Sequence, residues 1–236
     1  MFQIIHDYWL LMLVGEYPRG FLGGLALTGV ISGVGLLVTF PAAIVVALCR
    51  TSGCAPLRAA ATAYVYGIRA IPQLMLIFWA YFFVPVLLGF PINAAVTLIV
   101  AIVINQTAYL SEIIRGGIEG LPRGQVEAAR ALGLGYIPIT ARVVLPQALY
   151  NVLPGIINQL TSLIKDSSLG AIIAVGEITY VMMQINSNTV TKSFQVFALL
   201  AACYFVLCFS LSRFAGRIES RIATRRKGID ALEAAK

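Results

Sequence analysis

"EAARALGLGYIPITARVVLPQAL", from Glu127 to Leu149, begins charged and ends apolar. Pro122, just upstream, suits a helix start, because its missing amide is one of the donors that lack a partner there. Gly133 and Gly135 suit the helix's end. The reading is a short independent helix over about residues 122–134, with Arg123, Glu127 and Arg130 keeping it out of lipid. Val126, Ala128, Ala129 and Leu132 give it a shallow apolar face. A helix this short is marginal alone in water, so another protein is expected to hold it. Past Gly135 the chain turns apolar and continues through Pro146.

Outside this stretch the chain is mostly apolar. Of its 236 residues 59% are hydrophobic and 11% charged, whereas a soluble domain carries about 25% charged residues. This is an integral membrane composition. A spanning helix needs about 20 largely apolar residues, and 21–49, 60–88, 94–116, 139–164 and 194–215 qualify. Their Gly, Pro and polar content predicts helices that line one another in a bundle. The runs are continuous, unlike the short alternating segments of a membrane barrel. Residues 1–20 lack the basic start of a cleavable signal, and "YWLLMLVG" between Asp7 and Glu16 is too short to span. With Tyr8, Trp9 and Tyr17 it reads as an interfacial, extracytoplasmic segment.

With the amino terminus outside, five spans place Arg50, Arg58, Arg69, Arg115, Arg123, Arg130 and Arg142 inside. Residues 216–236, with Arg217, Arg221, Arg225, Arg226, Lys227 and Lys236, form a basic cytoplasmic tail. Outside remain Arg19, Lys165 and Lys192, as the positive-inside rule requires. The net charge of +7 therefore points to membrane lipid headgroups or a protein partner rather than to nucleic acid. Four cysteines without a CxxC and one histidine, His6, give no metal or redox motif.

The spans carry polar groups in register. Gly29 and Gly33 let another helix approach closely, either a second subunit or a helix of this chain. The residue before Pro72 is pushed from helical angles, so a break is expected near Ile71, with Arg69 facing headgroups or a pathway. Asn105, Tyr109 and Glu112 share a helix face, with Gln106 beside them. A charge in hydrocarbon costs roughly 2.5–3.5 kcal/mol, so Glu112 must face protein, water or the interface. Arg115 is its ready partner, and a structural pair competes with a transport role. Asn151, Gly155, Asn158, Ser162 and Lys165 make a polar stripe along the fourth span, ending at Asp166 and Ser167. Such a lining suits a small zwitterionic or polar solute; Lys165–Asp166 read alternatively as an interfacial salt bridge. The following segment, 168–192, is too short to span and reads as an outer gate or re-entrant helix, or as a surface helix.

Glu127-Ala128-Ala129, then Gly133, then Val143-Val144-Leu145-Pro146 resembles the "EAA" loop of ABC-importer membrane subunits, with Val143 in place of the family's isoleucine. The segments "ALCRTSGCAPLRAAATAYVYGIRAIPQLMLIFWAYF", "AYLSEIIRGGIEGLPRGQVEAARALG" and "LPQALYNVLPGIINQLTSLIKDSSL" resemble the polar-amino-acid branch, and the likeness covers about residues 20–215. The resemblance implies an all-α, five-helix type I importer permease in a bacterial inner membrane. It implies a coupling helix, carrying Arg123, Gly124, Glu127, Ala128, Ala129, Gly133 and Gly135, that docks into an ATPase. The implied partners are a second permease subunit, identical or homologous, two ATP-binding cassette subunits and an extracytoplasmic amino-acid-binding protein.

The chain has no GxxxxGK[ST] phosphate loop. It is therefore expected to be a transport subunit and not an enzyme, with ATP and Mg held by the partner ATPase. Acidic or other polar amino acids are the expected solutes. The rival from another class is an ion-coupled secondary transporter with Glu112 or Asp166 as coupling carboxylate; five spans without an evident internal repeat count against it.

Overall fold

The computed structural model describes the backbone of residues 2–234. Lys236 lies outside the described residues, as do the side chains of Arg221, Arg225, Arg226 and Lys227. Helix α1 (Phe2–Val14) is too short to span. It buries Ile4 and Met12 and leaves Trp9, Leu10 and Leu13 exposed. Helix α2 (Gly24–Thr51), 28 residues and about 42 Å long, buries Thr28, Ile31, Gly35, Thr39, Ala43, Ala47 and Arg50. Those positions recur at three and four residues, so they form one face.

Helix α3 (Ala55–Ala70) stops where Ile71 turns extended (φ −98, ψ 128) before Pro72. The chain then bends by 101° into α4 (Gln73–Phe78). The stretch expected as one span over 60–88 is therefore two arms, and the pre-proline clash is the cause. A π turn, Trp79–Phe83, joins α4 to α5 (Val84–Leu88). Helix α6 (Ala94–Glu119) starts at Asn93, whose Oδ1 accepts from the Ala95 amide at 2.9 Å. It packs most extensively against α2 and next against α9.

Helix α7 (Arg123–Ala131) precedes α8 (Tyr136–Ile139), which passes through a second π turn, Thr140–Val144, into α9 (Leu145–Asp166). Both π turns end two residues before a proline. The amide of Val84 reaches the Trp79 carbonyl and that of Leu145 the Thr140 carbonyl, and Pro85 and Pro146 follow. A proline ring collides with the carbonyl four residues back, and a wider i→i−5 turn carries the helix past it. That is how this chain enters its polar helix through a proline.

A 3-10 stretch, Ser167–Ile173, leads to α10 (Ile178–Asn188) and then, past a short 3-10 turn, to α11 (Ser193–Ala234). The border expected at 215/216 is no break: span and tail share one helix. Helices α2, α6 and the first part of α11, Ser193–Arg213, are long and apolar enough to cross a membrane, and the bent pair adds a fourth span if it counts as one. Helix α9, about 33 Å long, is less apolar than these because polar residues recur along it; it lies against α2, α6 and α11.

Three apolar clusters hold the bundle. Ile4, Met12, Ile178, Met182, Ile185 and Val196 join α1, α10 and α11. Ile31, Ile77, Leu98, Ile102 and Leu163 fill the middle. Ala43, Ala47, Leu110, Ile114 and Ile156 close the end nearest α7. A Cβ at Gly29 or Gly33 meets nothing within 4 Å, so no described helix of this chain packs closely against these glycines.

Candidate functional site

The break at Pro72, the middle of α6 and the second half of α9 line an open chamber of 570 Å³. Asn105, Gln106 and Tyr109 enter it from α6, Gln159, Ser162 and Asp166 from α9, and Arg69 and Gln73 from the two sides of the break. The Arg69 guanidinium stands 5.1 Å above the Tyr109 ring, a cation–π contact. Gln159 donates through Nε2 to Gln106 Oε1, and Gln106 donates through Nε2 to Asp166 Oδ2. The chamber thus has one cation, one anion and two amides in a hydrogen-bonded chain that ends on the anion.

This corrects the polar stripe. Of the five stripe positions only Ser162 lines the chamber. Asn158 and Lys165 are exposed elsewhere, Asn151 lies outside the lining, and an added Cβ at Gly155 would meet Ile113 of α6 at 3.1 Å. The row that lines the chamber is Gln159, Ser162 and Asp166, also at three and four residues. Adjacent residues diverge by about 100° on a helix, so two stripes sharing Ser162 face different neighbours. For the same reason Lys165 is not among the described ion-pair partners of Asp166, whose hydrogen bond comes from Gln106. Ser167 is buried, donates to the Ile164 carbonyl at 2.7 Å and stays out of the chamber. No residue of α10 lines it either.

Glu112 also stands outside the chamber. Its Oε1 accepts from Arg115 Nε at 3.2 Å and from Arg115 Nη2. Its Oε2 accepts from Nη1 of Arg50, whose side chain is only 5% exposed. Arg115 also pairs with Glu119. The Arg115 partner was readable from spacing; Arg50, 62 residues away, was not.

At the α7 end, Arg123, Val126, Glu127 and Arg130 border a recess of 780 Å³ with Leu48 and Thr51 of α2 and Glu119 of α6. The apolar face expected on α7 splits: Ala129 is buried against the chain, while Ala128 is exposed and Leu132 is 80% exposed. Gly133 ends the helix at φ +79, its amide bonding the Arg130 carbonyl at 2.9 Å and the Leu134 amide the Ala129 carbonyl at 3.2 Å. These are the two bonds of a Schellman cap. Gly135 plays no part in that end: with extended angles it is the N-cap of α8. Gly124 faces open space.

Sequence reasoning passed over Glu177. Fully buried, it caps α10 by accepting the Thr179 amide at 2.9 Å and the Tyr180 amide at 3.0 Å. Tyr204 of α11 donates to it at 3.0 Å. Burial pushes its carboxyl up, against the pull of these donors. Next to it the Gly24 amide donates to the Gly176 carbonyl at 2.9 Å, and the Ile178 amide to Thr28 Oγ1 at 3.2 Å. An acidic residue directly before an apolar helical run was the available signal.

Among known proteins, residues 39–224 match the family model described as "Binding-protein-dependent transport system inner membrane component". The chain is 34% identical over 208 residues to the inner membrane amino-acid ABC transporter permease protein YhdY of Escherichia coli (strain K12), covering 86% of this chain and 57% of that one. It is 40% identical over 156 residues to the probable glutamine ABC transporter permease protein GlnP of Bacillus subtilis (strain 168), covering 65% and 71%. The arginine transport system permease protein ArtQ of the same organism is 33% identical, over 85% of this chain and 91% of that one. A crystal structure of an amino acid ABC transporter with histidines superposes with a TM-score of 0.80 at 28% identity, covering 94% of this chain and 98% of that chain. A bacterial ABC transporter that imports alginate shares the fold at 16% identity, with a TM-score of 0.68 and coverage of 92% and 83%. With most of its length matched, this chain belongs to the binding-protein-dependent transport system inner membrane component family and has the all-α, type I fold of ABC-importer permeases.

Proposed function

We propose that this chain is the membrane-spanning permease subunit of an ATP-driven, binding-protein-dependent importer of polar amino acids, and that the Arg69–Asp166 chamber receives the solute. The observation that carries this is the presence of one cation and one anion in a chamber whose other lining is four amides, Ser162, Tyr109 and the Ala70–Pro72 break. A zwitterion presents a carboxylate to Arg69, a bidentate partner, and an ammonium to Asp166. Lys165 and Glu112, expected in those roles from sequence, stand outside the lining. A chamber of 570 Å³ falls within the roughly 300–1,000 Å³ of small-molecule sites. An acidic side chain asks for a second cation, and the lining offers Gln73, Asn105, Gln106 and Gln159 instead. Neutral amide side chains therefore suit it best and acidic ones second. Relatives described as glutamine permeases agree with this reading.

The recess beside α7 is the handle for the energy source. Its rim charges, with the outward Ala128 and Leu132, form the surface offered to a cytoplasmic ATPase. That partner binds ATP and Mg; a second permease subunit and an extracytoplasmic binding protein complete the assembly. In this reading the amino terminus faces outward and the carboxyl terminus the cytoplasm. ATPase closure moves α7, the helices turn as rigid bodies, the chamber opens outward, and hydrolysis resets it. An ion-coupled cycle through Glu112 is less apt, because both its carboxylate oxygens already accept from arginines.

The test is reconstitution with a cognate ATPase and binding protein in vesicles, with a panel of labelled glutamine, asparagine, glutamate, aspartate and arginine. Uptake is expected to require ATP on the α7 side and binding protein on the other, and to survive a protonophore. Uptake that needs a proton gradient and ignores ATP would overturn the proposal. Arg69→Met and Asp166→Asn are each expected to cut uptake at least tenfold, the loss of about 1.4 kcal/mol of solute interaction, while both variants still insert in the membrane.

A further inference from the structure

We infer that Arg50 is a positioning residue of the transport cycle, a buried clamp at the α7 end of α2 that locks α2, α3 and α6 into one body. Motion at the coupling helix then reaches the chamber undiminished. The inference rests on the ATP-coupled reading above.

Three helices meet at this guanidinium. Arg50 belongs to the last turn of α2, bonds Glu112 of α6, and lies 5.6 Å from the ring centroid of Tyr66 of α3. One helical turn on, α3 presents Arg69 to Tyr109 of α6. Tyr64 of α3 donates to the Ile104 carbonyl of α6 at 2.7 Å. Every polar tie from α2 and α3 to α6 described here falls between Ile104 and Glu112, on the stretch that also carries Asn105, Gln106 and Tyr109. On its other side the clamp runs through Arg115 to Glu119, at the edge of the α7 recess. It therefore stands between handle and chamber.

Stability alone does not account for an arginine here. Desolvating a buried ion pair offsets most of its attraction, and well-packed apolar residues often serve as well or better. Arg50 Nε is buried with no acceptor, so the site is not optimised even as an ion pair. What an apolar residue cannot supply is registry. Below Arg50, α2 meets α6 through Ala43 and Ala47 against Leu110 and Ile114, a contact that resists separation more than it resists sliding. The Arg50–Glu112 bond is directional, so it resists α2 sliding or turning against α6.

The experiment uses the full complex with ATPase and binding protein, and measures solute imported per ATP hydrolysed and stimulation of hydrolysis by loaded binding protein. Arg50→Met is expected to co-purify with the ATPase and keep unstimulated hydrolysis. It should lose stimulation and import roughly tenfold less solute per ATP, within the range of ordinary coupling energies. Glu112→Gln should match it, and the double variant should lose no more than either single, as expected for one shared interaction. If Arg50→Met fails to assemble, Arg50→Lys keeps the cation without the planar fork and should lose part of the ratio. A wild-type ratio in whichever variant assembles overturns the clamp, as does a double variant with the summed loss. Glu127→Ala separates the two readings. If it uncouples while Arg50→Met does not, only the clamp fails; if neither uncouples, the docking reading fails with it.

Discussion

At the Gly24 end of α2 the backbone is tied off within the chain. Gly24 donates to Gly176, Thr28 accepts from Ile178, and Glu177 closes α10 while taking the Tyr204 hydroxyl. At the Thr51 end, the other end of the same 28-residue helix, α7 leans on the bundle through Ala129, and Glu127, Ala128 and the following Leu132 stay exposed, as does Ile137 of α8. One end completes itself; the other is finished on one side. Buried polar groups need partners inside the chain, whereas an exposed apolar and charged surface on a marginal helix marks a place for a second molecule. The same contrast predicts that mutations at the two ends will separate stability from coupling.

The largest effect is expected at Glu177. Replacing it with Ala removes the cap of α10, worth about 0.5–2 kcal/mol, and takes one of the two described partners from the half-buried Tyr204 hydroxyl, which keeps Thr179 Oγ1 at 3.0 Å, a net loss of about 0.5–1.5 kcal/mol more. Thermal unfolding of purified protein in detergent should fall clearly for Glu177→Ala. Glu127→Ala, on the open end, should leave the melting temperature where it was. Equal shifts for the two would erase the distinction.

The open end was the more legible one in the sequence. Pro122, the Glu127-Ala128-Ala129 run and Gly133 mark α7 by local chemistry, and local chemistry is what a sequence displays directly. The break at Ile71 followed likewise from the proline beside it. The chamber was half legible: Asn105, Gln106, Tyr109, Ser162 and Asp166 were named, while Gln159 and the chamber role of Arg69 were not fixed. Periodicity tells which residues share a face but not which neighbour that face meets, and the stripe through Asn158 and Lys165 lies one residue away from the row that lines the chamber. Arg50 and Glu177 were missed for a related reason, since their partners lie 62 and 27 residues distant and only the fold brings them together.

Gly133 tests the open end at a smaller scale. Its Cβ position is empty to 4 Å, so a substitution there meets no clash, and the cost is the left-handed backbone, about 1–2 kcal/mol for an ordinary residue. Gly133→Val should fray the last turn of α7, visible as faster amide hydrogen exchange over 123–134, with little change in global melting. Gly133→Asn, which tolerates those angles better, should exchange at a rate between the two. A Val variant with wild-type exchange would mean that the Schellman cap is not what ends this helix.

The smallest effect belongs to Gly29 and Gly33, and its sign is the informative part. Both sit within α2 with open space where a Cβ would go, on a side of the helix that no described part of the chain covers. Alanine in a helix interior is worth about 0.5–1 kcal/mol over glycine, so a lipid-facing position should gain slightly in each single variant. A helix of another subunit seated against these two glycines would reverse that sign, because close approach depends on the absence of a side chain. Measuring the melting temperature and the oligomeric state of Gly29→Ala and Gly33→Ala in a mild detergent reads both at once. A small rise with unchanged assembly is the expected outcome. A fall accompanied by dissociation would transfer this face from the lipid to a partner.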